Sequence, residues 1–151
     1  MSEHIAQISW SRDGREFTYD TYDRDHTWSF DGGVTVPASA NPAFLGSPGP
    51  VDPEEAFVAA LSSCHMLTFL AIAARKRLVV ESYDDRAVGV MEKNAAGRLA
   101  VTRVILHPTI TWGGPEPDPE QIEKVHHLAH EQCFIANSVT TEVTVAGDSG
   151  I

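Results

Sequence analysis

The stretch that opens with Asp52-Pro53-Glu54-Glu55 constrains this chain most. Aspartate can cap the first free amides of a helix, proline fits its first turn, and glutamates favour the positive dipole end. The residues that follow, to about residue 77, put Phe57, Val58, Leu61, Met66, Leu67, Phe69, Leu70 and Ile72 on most sides of one long helix. A helix apolar all round belongs in a core, so this one is predicted to be largely buried and central. Arg75, Lys76 and Arg77 suit its negative end.

The rest of the chain is arranged around that helix as strands and one further helix. Ile8 and Trp10 alternate, Asp13-Gly14 offers a turn, and Trp28 with Phe30, then Val34 with Val36, alternate around Asp31-Gly32-Gly33. Such alternation predicts an antiparallel meander. Residues 37 to 50, rich in Pro, Ser, Ala, Asn and Gly, read as a loop. After the helix, residues 79 to 92 and 99 to 112 read as two strands joined by Lys93-Asn94-Ala95-Ala96-Gly97. Asp118-Pro119-Glu120-Gln121 repeats the helix-start chemistry, and Ile122, Val125, Leu128 and Ala129 give the second helix an apolar stripe. A strand at about 138 to 145 and a frayed tail at 146 to 151 complete the order. Segregated strands and helices predict an α+β fold. At 151 residues, a single domain spanning 1 to 151 is expected.

Charge narrows the partners. The chain carries 11 basic against 21 acidic residues, a net charge of −10, which disfavours nucleic acid and anionic lipid surfaces. Residues 1 to 25 lack a basic start leading into an apolar stretch, and the longest nearly apolar run, residues 66 to 74, is too short for a bilayer. A cytoplasmic protein without a membrane segment is expected.

Two cysteines remain, Cys64 and Cys133, each late in a predicted helix. In a reducing compartment they read as free thiols or a catalytic pair before a permanent staple. Cys64 follows the small residues Ala59, Ala60, Ser62 and Ser63, which leave room near the sulfur; its alternative is a small core hydrophobe. A thiolate deep in a helix needs a cation from elsewhere.

The run from Asp52-Pro53-Glu54-Glu55 through Ala59-Ala60-Leu61-Ser62-Ser63 to Cys64-His65, with Cys133 near the end of the second helix, resembles the OsmC/Ohr family of thiol-dependent peroxidases, in its OsmC-like subgroup. The resemblance extends to the order of elements over nearly the whole chain. It implies reduction of organic hydroperoxides, with Cys64 peroxidatic, Cys133 resolving, and Glu54 an acidic partner that positions an arginine. Arg24, in Tyr22-Asp23-Arg24-Asp25-His26, is the first candidate and Arg12 the second. The chain departs from the common family pattern at Phe134, where proline is frequent.

Helix geometry adds a constraint. Glu54 and Cys64 are separated by about 15 Å of helical rise, so a straight helix cannot bring them to one site. The resemblance supplies an answer, an intertwined homodimer with sites at the subunit interface. The implied cycle passes from a Cys64 thiolate to a sulfenic acid, then to a Cys64-Cys133 disulfide regenerated by a dithiol, lipoyl-type or other, with no metal or cofactor. Phe57, Leu61, Met66 and Phe134 are candidates for an apolar pocket wall, and His26 and His65 for assistance to the thiolate. Competing readings are a zinc site on His126, His130 and Cys133 or Glu131, a structural disulfide, and a noncatalytic module that binds a small ligand or partner on the same fold. Ser62-Ser63 lacks the elbow of a serine hydrolase.

Overall fold

Both acidic start signals act as capping boxes in the computed structural model, which describes residues 1–147. The Glu55 amide donates to Asp52 Oδ1 at 2.8 Å, and Glu55 Oε2 accepts from the Asp52 amide at 3.1 Å. Helix α1 then runs Pro53–Arg75. Asp118 and Gln121 exchange the same pair of bonds at 2.8 and 3.2 Å to open α2, Pro119–Gln132. Each box satisfies amides that would otherwise be orphaned at a helix start.

The chain divides into two compact units, residues 1–56 and the residues from Phe57 onward. In the first, β1 (Ala6–Ser9), β2 (His26–Phe30) and β3 (Thr35–Ala38) form the antiparallel sheet β1-β2-β3. Asp31-Gly32-Gly33 turns β2 into β3, with Gly33 at φ +86°. The Asp13-Gly14 turn lies within a long excursion, residues 10–25, between β1 and β2. Only Ala38, Ser39 and Asp52 are buried among residues 1–56, and Ile8, Trp10, Phe30 and Val34 are exposed.

The second unit holds most of α1 and all the remaining elements: β4 (Val80–Asp85), β5 (Val88–Lys93), β6 (Leu99–Leu106), β7 (Pro108–Trp112), α2 and β8 (Glu142–Val145). The two strands expected at 79 to 92 and 99 to 112 are each broken, so the long hairpin becomes two sheets, β4-β7 and β5-β6-β8, with β8 parallel to β6. At the break the Asp85 carboxylate accepts the His107 amide at 2.6 Å, and the His107 ring donates from Nδ1 to the Arg86 carbonyl at 2.9 Å. Side chains thus take over ladder bonds where Pro108 has no amide to give. The last strand starts later than expected, because residues 136–138 form a 3-10 turn. There Ser138 Oγ donates to the Phe134 carbonyl and Asn137 Nδ2 to the Glu131 carbonyl, local bonds that compete with a strand. The tail beyond residue 147 lies outside the described residues.

Two apolar clusters hold this unit. Leu61 packs with Val104, Leu106, Val143 and Val145, while Phe69, Ile72 and Ala73 pack with Val125 and Ala129. Helix α1 is nevertheless not largely buried as predicted. Leu61, His65, Phe69, Ile72 and Ala73 are buried, whereas Leu67 is 61% exposed. By length and composition α1 could cross a membrane, which the short run 66 to 74 did not suggest, but its packing into both clusters makes it a core helix of its unit. It ends at Arg75, two residues earlier than expected. Arg77 takes φ +59°, and bonds from Leu78 to Ala73 and from Arg77 to Ala74 close a Schellman motif.

Candidate active site

The cysteines meet in the second unit. Cys133 caps the C-terminus of α2 in extended conformation, at the helix end as expected, whereas Cys64 lies at the middle of α1 and not late in it. Both are free thiols, near enough for Cys64 to act on the Cys133 proton, with Cys64 half-buried and Cys133 buried. Burial first, and then the contact with Cys64, push the Cys133 thiol up to about 11. Cys133 therefore keeps its proton at neutral pH and has a hydrogen to donate to the Cys64 sulfur. Its own sulfur accepts the Ala136 amide at 3.4 Å, which ties it to the turn that follows α2.

In the first unit a cavity of about 380 Å³ is lined by Tyr22, Arg24, His26, Asn41, Phe44 and Glu54, among others. The Arg24 guanidinium donates to the Tyr22 carbonyl at 2.7 Å and to the Tyr19 carbonyl at 2.6 Å, and stacks 3.8 Å over the Tyr22 ring. Carbonyls and an aromatic face hold the cation without neutralising it. His26 bonds the Arg24 carbonyl through Nδ1 at 2.8 Å and accepts the Trp28 indole N–H at Nε2 at 3.0 Å. A carbonyl only accepts and an indole only donates, so this pair of bonds selects the Nδ1–H tautomer. Next to it, hydroxyl contacts from Ser47 and then Ser39 hold the Asp25 carboxyl below its usual range. Arg12 is an exposed loop residue bonded to the Arg15 carbonyl.

Residues 46–146 match the family model of the OsmC-like proteins. An OsmC-like protein of unknown function from Vibrio cholerae is 56% identical in sequence and similar in structure at a TM-score of 0.91, over 96% of this chain and 98% of that one. The chain belongs to the OsmC-like family. Structures of organic hydroperoxide resistance proteins from Legionella pneumophila (18% identity, 96% and 97% coverage, TM-score 0.69) and Elizabethkingia anophelis (16%, 98% and 98%, TM-score 0.72) share the fold. No curated protein matches the chain.

The four expected site residues of this OsmC-like protein thus fall into two pairs, Cys64 with Cys133 and Arg24 with Glu54. The candidate wall residues differ widely in exposure. Leu61 is fully buried in the core, where it fills a cluster, and Phe134 is 82% exposed beyond the α2 cap.

The histidines of α2 also depart from expectation. His126 is buried and its Nδ1 lies 3.0 Å from Nε2 of His65 on α1, while His127 pairs with Glu131 on the surface at 3.3 Å. No group of three or more His, Cys, Asp or Glu able to hold a metal occurs among the described residues, so the zinc reading has no geometry to support it. The sequence carried a signal for the buried pair. His65 falls on the face of α1 shared by Leu61 and Phe69, and His126 on that of α2 shared by Ile122, Val125 and Ala129.

Proposed function

We propose that this OsmC-like protein is a cysteine-based peroxidase that reduces organic hydroperoxides to alcohols. The observation that carries the reading is the Cys64-Cys133 contact, in which one thiol is accessible and its neighbour is a buried, protonated donor. Similarity of fold to proteins named for organic hydroperoxide resistance supports it.

The cycle balances as follows. The Cys64 thiolate attacks the terminal oxygen of R-O-OH, the O–O bond breaks, and the leaving alkoxide takes a proton to give the alcohol and Cys64 sulfenic acid. The Cys133 thiol displaces hydroxide from that sulfenic sulfur, its own proton goes to the leaving group as water, and a disulfide remains. An external dithiol, lipoyl-type or similar, reduces it through a mixed disulfide and is itself oxidised.

Arg24 and Glu54 enter from a second copy in this reading. Helix α1 is unbroken from Pro53 to Arg75, so Glu54 and Cys64 of one chain stay about 15 Å apart along it. An intertwined homodimer, each chain one OsmC-like domain over residues 1 to 151, offers each cysteine pair the partner's cation and carboxylate. The uncovered sheet of residues 1–56 and the exposed Leu67 on α1 are the surfaces such a partner would cover. In this reading the protein works in the cytoplasm, where thiol pools return disulfides to the reduced state.

The test is consumption of cumene hydroperoxide by the purified protein with a small dithiol, beside hydrogen peroxide and beside Cys64→Ser. The reading expects faster, Cys64-dependent loss of the organic peroxide. No turnover would leave a binding module on the same fold.

A further inference from the structure

His65 follows Cys64 directly on α1, and His126 precedes Cys133 by seven residues on α2. The dithiol and the imidazole pair therefore join the same two segments of chain, α1 and α2 with its C-terminal cap. The rings stack with centroids 5.3 Å apart and planes 12° apart, and Phe69 packs against His126 at 4.5 Å. Both histidines are nine-tenths buried or more, at 1% and 3% exposure. A bond between two imidazoles needs one donor and one acceptor, so the accepting ring at least must be neutral. Burial, and then the charges of His126 and His130, push His65 down to about 3, and burial pushes His126 down to about 4 against the opposing pull of Asp85. Each ring is neutral at pH 7.

Apolar contacts between α1 and α2, such as Phe69 on Val125, are non-directional and tolerate a small slide of one helix along the other. A 3.0 Å ring-to-ring bond does not, because it weakens steeply with distance and angle and its loss leaves buried nitrogens without partners. His65 Nδ1 already lacks a protein partner, so Nε2 is the atom through which that ring is satisfied within the protein. A disulfide has an equally narrow geometric window.

We propose that His65 and His126 are positioning residues whose mutual hydrogen bond fixes the register of α1 against α2 and thereby sets the reduction potential of the Cys64-Cys133 couple. The inference deepens the thiol-redox reading above and rests on Cys64 and Cys133 being a couple, though not on peroxide being its oxidant.

The experiment equilibrates the full-length protein in mixtures of reduced and oxidised dithiothreitol at pH 7 and reads the fraction of Cys64-Cys133 disulfide. The proteins compared are wild type, His65→Leu, His126→Leu, the double Leu variant, His65→Gln and His126→Asn. Gln places an amide atom where Nε2 of His65 lies, and Asn one where Nδ1 of His126 lies, so both can keep the bond. The expected result is a tenfold weaker disulfide in the Leu variants, about 30 mV, with the Gln and Asn variants within threefold of wild type. The double Leu variant removes both orphaned nitrogens and should recover thermal stability without recovering the potential, which separates register from folding. Should a single Leu variant fail to fold, the double and the two amide variants decide the matter. Wild-type potentials in the folded Leu proteins, or amide variants displaced as far as Leu, would overturn the proposal. So would a wild type that forms no disulfide at any potential, whereas a wild type that forms it but consumes no peroxide would remove only the peroxidase reading.

Discussion

Cys64 and Cys133 differ in access, a property that separates an attacking thiol from a resolving one. Cys64 is half-buried, while Cys133 is buried and held as the thiol. Cys64→Ser is predicted to abolish peroxide consumption, and Cys133→Ser to complete one turnover and stop as a sulfenic acid, which dimedone labelling with mass spectrometry reads directly. The buried histidines give a second prediction. Their folded values, about 3 and about 4, lie below the ordinary histidine value near 6.5, so between those limits the unfolded chain binds more protons than the folded one. Stability is then complete above about pH 6.5 and falls as pH drops towards 4, by up to about 1.4 kcal/mol per pH unit for each ring. Urea titrations across that range should show the slope in wild type and a flatter profile in the double Leu variant. Glu54 and Cys64 stand out in the sequence because one short motif carries both, whereas Arg24 entered only through the family resemblance. The histidine pair is legible only by halves: His65 and His126 each share the apolar face of their helix, but the spacing within one helix does not say that the two rings meet across 61 positions of chain.

At the scale of elements, termini were legible wherever their chemistry is local. Both Asp-Pro-Glu starts became capping boxes because Asp52 with Glu55 and Asp118 with Gln121 need only one turn of chain to meet. Asp118→Ala is expected to cost about 1 kcal/mol, measured as a lower midpoint in thermal unfolding. The C-terminus of α1 carries the opposite opportunity. Arg77 is exposed and occupies the left-handed region at φ +59°, the position in this motif usually taken by glycine. Arg77→Gly should relieve a penalty of roughly 1–2 kcal/mol, offset by roughly 0.5–1 kcal/mol of extra chain entropy. A gain of about 0.5–1 kcal/mol would raise the midpoint by about 1–4 °C. The broken hairpin was not legible. Residues 79 to 92 and 99 to 112 keep strand character throughout, and the break depends on Asp85 reaching His107 across 22 positions of chain, a contact that no local pattern encodes.

The whole molecule turns on surfaces that one chain leaves uncovered. Ile8, Trp10, Phe30 and Val34 on or beside the first sheet and Leu67 on α1 are large apolar side chains at 40–61% exposure. An apolar α1 was expected to be buried, and sequence alone could not say whether its own chain or another would cover it. The proposed homodimer predicts a solution mass twice the 16.4 kDa of one chain by light scattering at micromolar concentration. It also predicts that Leu67→Glu lowers that mass, with peroxidase activity falling in parallel if the partner supplies Arg24. The central claim is tested most directly by intact-mass analysis of the reduced protein after one equivalent of cumene hydroperoxide. The account predicts loss of both free thiols and of two hydrogens, with a single Cys64-Cys133 crosslink in the peptide map. Two thiols still titratable after the peroxide is added would contradict it.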